Sequence, residues 1–234
     1  MPTMEIVAEL LAPSGLVLRG GFHLAAEDGV PALGNGATAQ SVLMIGNVGR
    51  PGGDPMWSAF RAARHRFTGP NPLDDWTRSI VDKLAARLGA EARYPFGGPP
   101  HLPFQRWAMR ADSVFSSPLG ILVHPAHGLW HGYRAALLFA EHLDLPVRGE
   151  ALSPCAACAA KPCLTACPVG AFTAGGYDVE RCAAYLESPQ GADCLGSGCR
   201  ARRACPVAPA RAPVPDQARF HMAAFLRGVR RRRR

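Results

Sequence analysis

Apolar positions recur at helical or strand period over roughly the first 140 residues, and the rhythm thins out after that. Residues 3–11 set Ile6, Val7, Leu10 and Leu11 on one side of a helix, and a strand is expected to follow over 15–23. The run 41–47, Ser-Val-Leu-Met-Ile-Gly-Asn, is continuously apolar and of strand length, the pattern of a buried strand. A Gly/Pro loop and another helix come next. The clearest helix spans 72–88: Asn71 can cap it, Pro72 suits its first position, and Asp74 and Asp75 favour the positive end of its dipole. Lys83 and Arg87 lie in its last turns, Gly89 suits the left-handed residue after it, and Trp76, Ile80, Leu84 and Leu88 form its core stripe. A short helix over 103–111 carries Trp107. Residues 120–123 and 129–139 read as two strands paired across His124-Pro125-Ala126-His127-Gly128.

These elements predict an α+β (or α/β) domain over 1–147. The pattern then gives way to proline and charge, a linker over 145–154, and next to cysteine, in a small loop-rich domain over 148–215. A basic carboxyl-terminal helix or tail occupies 216–234.

Composition narrows the classes. Of 234 residues 48% are apolar and 19% charged, globular values that exclude a fibre and wholesale disorder, while 25 Gly and 22 Pro predict much loop. The apolar stretch 120–140 is interrupted by His124, Pro125, His127, His131 and Arg134, so no membrane helix and no membrane partner are expected. The start Met1-Pro2-Thr3-Met4-Glu5 lacks the basic region of a secretory leader, and the chain reads as cytoplasmic. The formal charge is +8, but Arg227 and the run Arg230 to Arg234 supply most of it. That run reads as a solvated, unstructured end, and nucleic acid is not expected as a partner.

All eight cysteines fall between Cys155 and Cys205. In a reducing compartment such a cluster reads as metal or redox ligands and not as a disulfide framework. The first half is Cys155-x2-Cys158-x4-Cys163-x3-Cys167-Pro168-Val169. The second supplies Cys182, Cys194, Cys199 and Cys205-Pro206-Val207, which echoes the first ending. Zinc is the alternative, since four thiolates suit its tetrahedral geometry; zinc ribbons, however, bring two Cys-x2-Cys knuckles and this chain has one. Ala156, Ala157, Ala159, Ala166, Gly196 and Gly198 leave room for backbone to approach the sulfurs.

The first half resembles the ligand run of two-cluster bacterial ferredoxins, with two extra residues between the second and third ligands. The resemblance implies a ferredoxin-like domain holding two 4Fe-4S clusters. By that family's crossover it assigns Cys155, Cys158, Cys163 and Cys205 to one cluster and Cys167, Cys182, Cys194 and Cys199 to the other. Upstream, 120–134 reads Gly-x3-His-Pro-x2-Gly-x-Trp-x3-Arg, similar to a segment of the cobalamin-processing chaperone family. Arg181-Cys182-Ala183-Ala184-Tyr185-Leu186 is similar to a segment of the epoxyqueuosine reductase family. This second resemblance implies a nitroreductase-like (flavin-reductase-related) fold for 1–147 and a corrinoid (cobalamin) as a further cofactor. Its cleft would draw on Phe96, Trp107, His124, Trp130 and Arg134. Each has a plainer role open to it: the tryptophans as core, His124 as a turn residue bonding backbone. No counterpart of the reductase family's catalytic acid stands out.

The leading expectation is therefore electron transfer, two clusters relaying single electrons between redox donor and acceptor proteins or small molecules. A corrinoid-dependent reductase or cobalamin-handling protein is the second. A non-redox, metal-stabilised interaction module is the third. If the chain is an enzyme, it is an oxidoreductase; no GxGxxG, Walker sequence or nucleophile elbow points elsewhere.

Overall fold

The computed structural model describes residues 4–146, 148–173 and 175–233. In chain order its main elements are α1 (Met4–Leu11), β1 (Val17–His23), β2 (Ser41–Val48), α2 (Pro55–Ala63), α3 (Pro72–Leu88), β3 (Glu91–Arg93), α4 (Phe104–Ala111), β4 (Phe115–Ser116), β5 (Leu122–Val123) and β6 (His131–Phe139). The cysteine-bearing part adds α5 (Pro154–Ala157), α6 (Pro162–Thr165), β7 (Phe172–Thr173), β8 (Gly176–Tyr177), α7 (Val179–Glu187), α8 (Ala192–Ser197), α9 (Arg200–Arg203) and α10 (Pro215–Arg232). The content is α+β, divided into two compact units that are not consecutive stretches of chain.

The first unit takes the residues up to Val48, then Pro55–Ser113 and His131–Glu150. Its frame is an antiparallel sheet in the order β1-β2-β6-β3. The two middle strands are the most apolar: Val42 faces Leu138 and Leu43 faces Leu137, and all four side chains are buried. Helices α1 and α4 pack on β1, α2 on β2, and α3 on β3 and β6. Between α2 and α3, Phe60 stands edge-on to Trp76 at 5.8 Å and tilted against Trp57 at 5.4 Å.

Helix α3 runs over the expected 72–88, but its buried stripe is rotated. Leu73, Trp76, Thr77, Val81, Leu84 and Ala85 are buried, and Ile80 and Leu88 are only half-buried. Thr77 tolerates the interior because its hydroxyl donates to the Leu73 carbonyl at 2.8 Å. The Asn71 side chain makes no capping bond; its backbone carbonyl accepts from the amides of Asp74 and Asp75. Gly89 ends the helix in left-handed backbone, φ 68°, as expected.

The expected pairing of 120–123 with 129–139 does not form. Strand β5 pairs with β4, whereas β6 starts at His131 and is spent on both edges, against β2 and β3. The intervening turn closes on itself, His124 and Gly128 exchanging backbone hydrogen bonds of 2.9 and 2.8 Å. Adjacency in sequence suggested a hairpin, but β6 pairs with β2 along its length and with β3 over 136–138, while β5 pairs with β4.

The second unit consists of Gly49–Asp54, Val114–Trp130 and the chain from Ala151 onward. Segments 49–54 and 114–130, placed with the amino-terminal region on sequence grounds, thus group with the cysteines. The reason is apolar supply. Leu119, Val123 and Leu129 bury themselves with Ala201 and Cys205, and Phe115 packs beside them with Leu164, Phe172 and Val207. The cysteine stretch has too few large apolar side chains to make this core alone. Segment 49–54 is held by Arg211, whose Nη1 donates to the Gly49 carbonyl at 2.9 Å, and by Gln217, whose Nε2 donates to Asp54 at 3.1 Å.

The arginine-rich end is not the unstructured segment expected: α10 stays helical through Arg232. Leu226 and Val229 are buried against Ala183, Leu186 and Cys194. Arg230 pairs with Glu187 at 2.8 Å and Arg233 with Glu180 at 2.6 Å, and hydrogen bonds from Arg230 and Arg233 hold Glu187 below the usual carboxylate range. Among the described residues no helix is long and apolar enough to cross a membrane.

Candidate metal centre

The eight thiols are free of disulfides, with Cys194 and Cys205 buried and the other six half-buried. Among the described residues no group of three or more His, Cys, Asp or Glu side chains is set to hold a metal ion directly. The sulfurs nevertheless have specific neighbours. Burial pushes the Cys155 thiol up, and the negative fields of Cys205, Cys163 and Cys158 add to it, opposed by Lys161. Cys163 is raised likewise, by burial and then by Cys205 and Cys158. A separate company surrounds Cys182, raised by burial and by Cys199, Cys167 and Cys194, and Cys199, raised by burial and by Cys194 and Cys167. By these neighbours Cys155 and Cys163 group with Cys158 and Cys205, and Cys182 and Cys199 group with Cys167 and Cys194, while Cys155, Cys163, Cys167 and Cys199 all pack against the core that includes Cys205.

Local backbone explains how such short elements aim donors at sulfur. Helices α6 and α9 are single turns, α6 with Cys163 in its first turn and α9 directly after Cys199, so their first amides lie near that cysteine's own sulfur, although the Leu164 amide also donates to the Lys161 carbonyl at 2.9 Å. The amides of Cys163 and Leu164 serve Cys163, and those of Ala201 and Arg202 serve Cys199. The Ala171 amide donates to Cys167 Sγ at 3.3 Å. The Tyr177 hydroxyl neighbours Cys182, and burial together with that thiol and the nearby Cys199 and Cys167 keeps the phenol protonated far above its usual range. Amide and hydroxyl donors around a thiolate set are the surroundings an iron-sulfur cluster needs, because such bonds stabilise charge on its sulfurs. The residues present fit a cluster in each set.

The Cys-Pro-Val echo is structural as well. Cys167-Pro168-Val169 is followed by Gly170 at φ 57°, and Cys205-Pro206-Val207 by Ala208 at φ 51°. Both sites demand left-handed backbone, which costs an L-residue about 1–2 kcal/mol, and only the first carries glycine. Replacing Ala208 by Gly is expected to raise unfolding free energy by about 0.5 kcal/mol, the strain relieved less the added unfolded-state freedom. Anaerobic urea titration checks the sign; a loss would mean that the Ala208 methyl packs usefully.

The candidate cofactor residues divide between the units. In the first, Arg134 and Phe96 meet: the guanidinium lies 5.2 Å from the ring centroid and donates to Asp74 at 2.7 Å and Thr77 at 3.2 Å. Arg134 Nε is buried and lacks a hydrogen-bond partner among the described residues. Arg78 covers the same ring at 5.1 Å and the neighbouring Tyr94 at 4.4 Å. Trp107 is not available to a cleft: it is fully buried on α4, and its Nε1 donates to the Asp28 carbonyl at 2.8 Å. In the second unit, His124 Nδ1 accepts the Ala126 amide at 2.9 Å, as a turn residue does, and its ring stacks on His127 at 4.2 Å. Trp130 is buried under Arg202, whose guanidinium lies 4.9 Å from its ring and donates to the Leu129 carbonyl. Sequence reasoning missed Tyr177 and Arg202. Tyr177 sits in Gly-Gly-Tyr-Asp between the cysteine halves, a spacing cue that was there to use, whereas Arg202 is indistinguishable from its arginine neighbours.

No family profile matches the chain. No curated protein matches it either. Seven solved chains do. One is an epoxyqueuosine reductase bound to an epoxyqueuosine-modified tRNA-Tyr stem loop, 16% identical over 77% of this chain and 54% of that one, with TM-score 0.44. A second is the epoxyqueuosine reductase of Bacillus subtilis, 17% identical over 77% and 54%, TM-score 0.45. A third is the B12-trafficking protein CblC of C. elegans, 14% identical over 95% and 94%, TM-score 0.49. The chain spans about half the length of those reductases.

Proposed function

We propose that the chain is an iron-sulfur electron-transfer protein, each sulfur set holding one 4Fe-4S cluster and the pair relaying single electrons from an external donor to an acceptor held by the amino-terminal unit. What supports the reading is the company the sulfurs keep: Cys155 and Cys163 lie in the fields of Cys158 and Cys205, and Cys182 and Cys199 in those of Cys167 and Cys194, so that the Cys-Pro cysteine of each half neighbours cysteines of the other. When bound, the clusters supply reversible one-electron chemistry. The chain's own part is to present thiolates, to donate the amides of Cys163, Leu164, Ala171, Ala201 and Arg202 toward sulfur, and to bury both sets partly from water. These are the levers by which a protein tunes a cluster's potential.

A second reading, a corrinoid-dependent reductase or cobalamin-handling protein, is favoured by Arg134, a half-buried arginine facing Phe96 whose buried Nε has no hydrogen-bond partner among the described residues. One preparation tests both. Anaerobically purified protein is expected to hold about eight iron and eight sulfide per chain and a broad absorbance near 400 nm, about that of such clusters, bleached by dithionite. Colourless protein carrying zinc would overturn the reading. Hydroxocobalamin added to the reduced sample decides the second: a shifted and then reduced visible spectrum supports it, and an unchanged one removes it.

A further inference from the structure

We infer that the arginine-rich face of α10 is the docking surface for an acidic one-electron donor protein that feeds the Cys167, Cys182, Cys194 and Cys199 set; the inference rests on the cluster reading above. The inner face of α10 lies on the helices that carry this set. Leu226 and Val229 share a buried cluster with Ala183 and Leu186 of α7 and Cys194 of α8, and Cys182 packs against it with Phe225. Phe225 also lies 6.2 Å, centroid to centroid, from Tyr177, a neighbour of Cys182. A partner seated on α10 is thus one helix away from the sulfurs.

The outer face is basic and rigid. Arg219, Arg227, Arg231 and Arg232 are exposed and carry no ion pair among the described residues. Arg227 and Arg231, one turn apart, lie on the side of the helix opposite Leu226 and Val229, and Arg232 flanks that side. The nearby acids are already used, Glu187 by Arg230 and Arg233, Glu180 by Arg233, and Asp193 by Arg200 and Arg203. The Glu180 and Glu187 pairs tie α10 and Arg233 to α7, and Arg227, Arg231 and Arg232 carry no ion pair among the described residues. A small charged patch beside a redox centre suits a transient partner, for which electrostatic steering sets the association rate and a large apolar interface would only slow release. Single-stranded nucleic acid would need exposed aromatic platforms among the arginines, and the phenylalanines of α10, Phe220 and Phe225, are half-buried. In the step itself one electron leaves the donor's reduced flavin and one enters the cluster; no bond is made, and any proton the flavin releases goes to solvent.

The test is anaerobic stopped-flow bleaching of the protein by fully reduced flavodoxin, an acidic flavoprotein, with dithionite as the small-molecule control. The variant is R227E/R231E/R232E, which leaves the Arg230 and Arg233 ion pairs in place. The wild-type rate with flavodoxin is expected to fall steeply between about 20 and 300 mM salt. The variant's rate at low salt is expected to be at least about tenfold slower and nearly salt-independent, with dithionite bleaching unchanged and R227K/R231K/R232K close to wild type. Equal flavodoxin rates in wild type and the Glu variant overturn the inference. So does a Glu variant that keeps flavodoxin reduction and loses binding of a tRNA probe, which would assign the face to nucleic acid. If dithionite bleaches nothing in wild type, the cluster reading itself has failed and the docking inference falls with it.

Discussion

Trp107→Ala is expected to destabilise the first unit by about 3–5 kcal/mol, the usual cost of emptying a fully buried aromatic site. Two losses combine. The indole occupies the interior between α4 and the sheet, against Phe104 at 5.0 Å, with no exposed surface. Its Nε1 also holds the Asp28 carbonyl, in a loop that Arg110 secures through paired bonds of 2.6 and 2.8 Å to the Asp28 carboxylate. Trp107→Phe separates the two, keeping most of the volume while leaving that carbonyl unpaired, and should cost about 1–3 kcal/mol. Urea unfolding of holoprotein followed by far-ultraviolet dichroism gives both values, and the visible spectrum below the transition should not change. A loss under about 1 kcal/mol for the alanine variant would return Trp107 to the list of cleft residues.

That test bears on why some of this molecule was legible in its sequence and some was not. Helix α3 and strand β2 could be read because their signals are local: capping-region proline, terminal charge and glycine for the helix, and an unbroken apolar run for the strand. The stripe on α3 came out rotated because Thr77, polar in sequence, satisfies its hydroxyl on the Leu73 carbonyl and so enters the core. Strand partners could not be read, because β6 is chosen by two distant edges, Ser41–Val48 and Glu91–Arg93, and not by its sequence neighbour. The core of the second unit was hidden for the same reason: Leu119, Val123 and Leu129 are remote in sequence from Ala201 and Cys205, which they bury. The cysteines stood out because sulfur at close spacing is a chemical signal that needs no fold. The donors that serve them are mostly backbone amides, which every residue has, so only the folded chain distinguishes Ala171 from any other alanine.

The sulfur partition makes a sharper prediction than any single substitution. If Cys155 and Cys205 serve one cluster while Cys167 serves the other, Cys155→Ser, Cys205→Ser and the Cys155→Ser/Cys205→Ser pair should each lower iron from about eight to about four per chain, the second change adding nothing once the first has emptied the site. Cys155→Ser/Cys167→Ser should lose nearly all iron, because it damages both sets. A sequential arrangement, with Cys155, Cys158, Cys163 and Cys167 on one cluster, predicts the reverse: about four iron in the 155/167 pair and almost none in the 155/205 pair. The physical ground for the crossed outcome is that Cys155 and Cys163 lie in the field of Cys205, whereas Cys182 and Cys199 lie in that of Cys167. Iron and sulfide analysis of the four variants, purified anaerobically beside wild type, decides between the arrangements. Far-ultraviolet dichroism on the same samples separates loss of a cluster from loss of the fold. A 155/167 pair that keeps half its iron would reject the partition and, with it, the assignment of Cys167 to the set beneath α10.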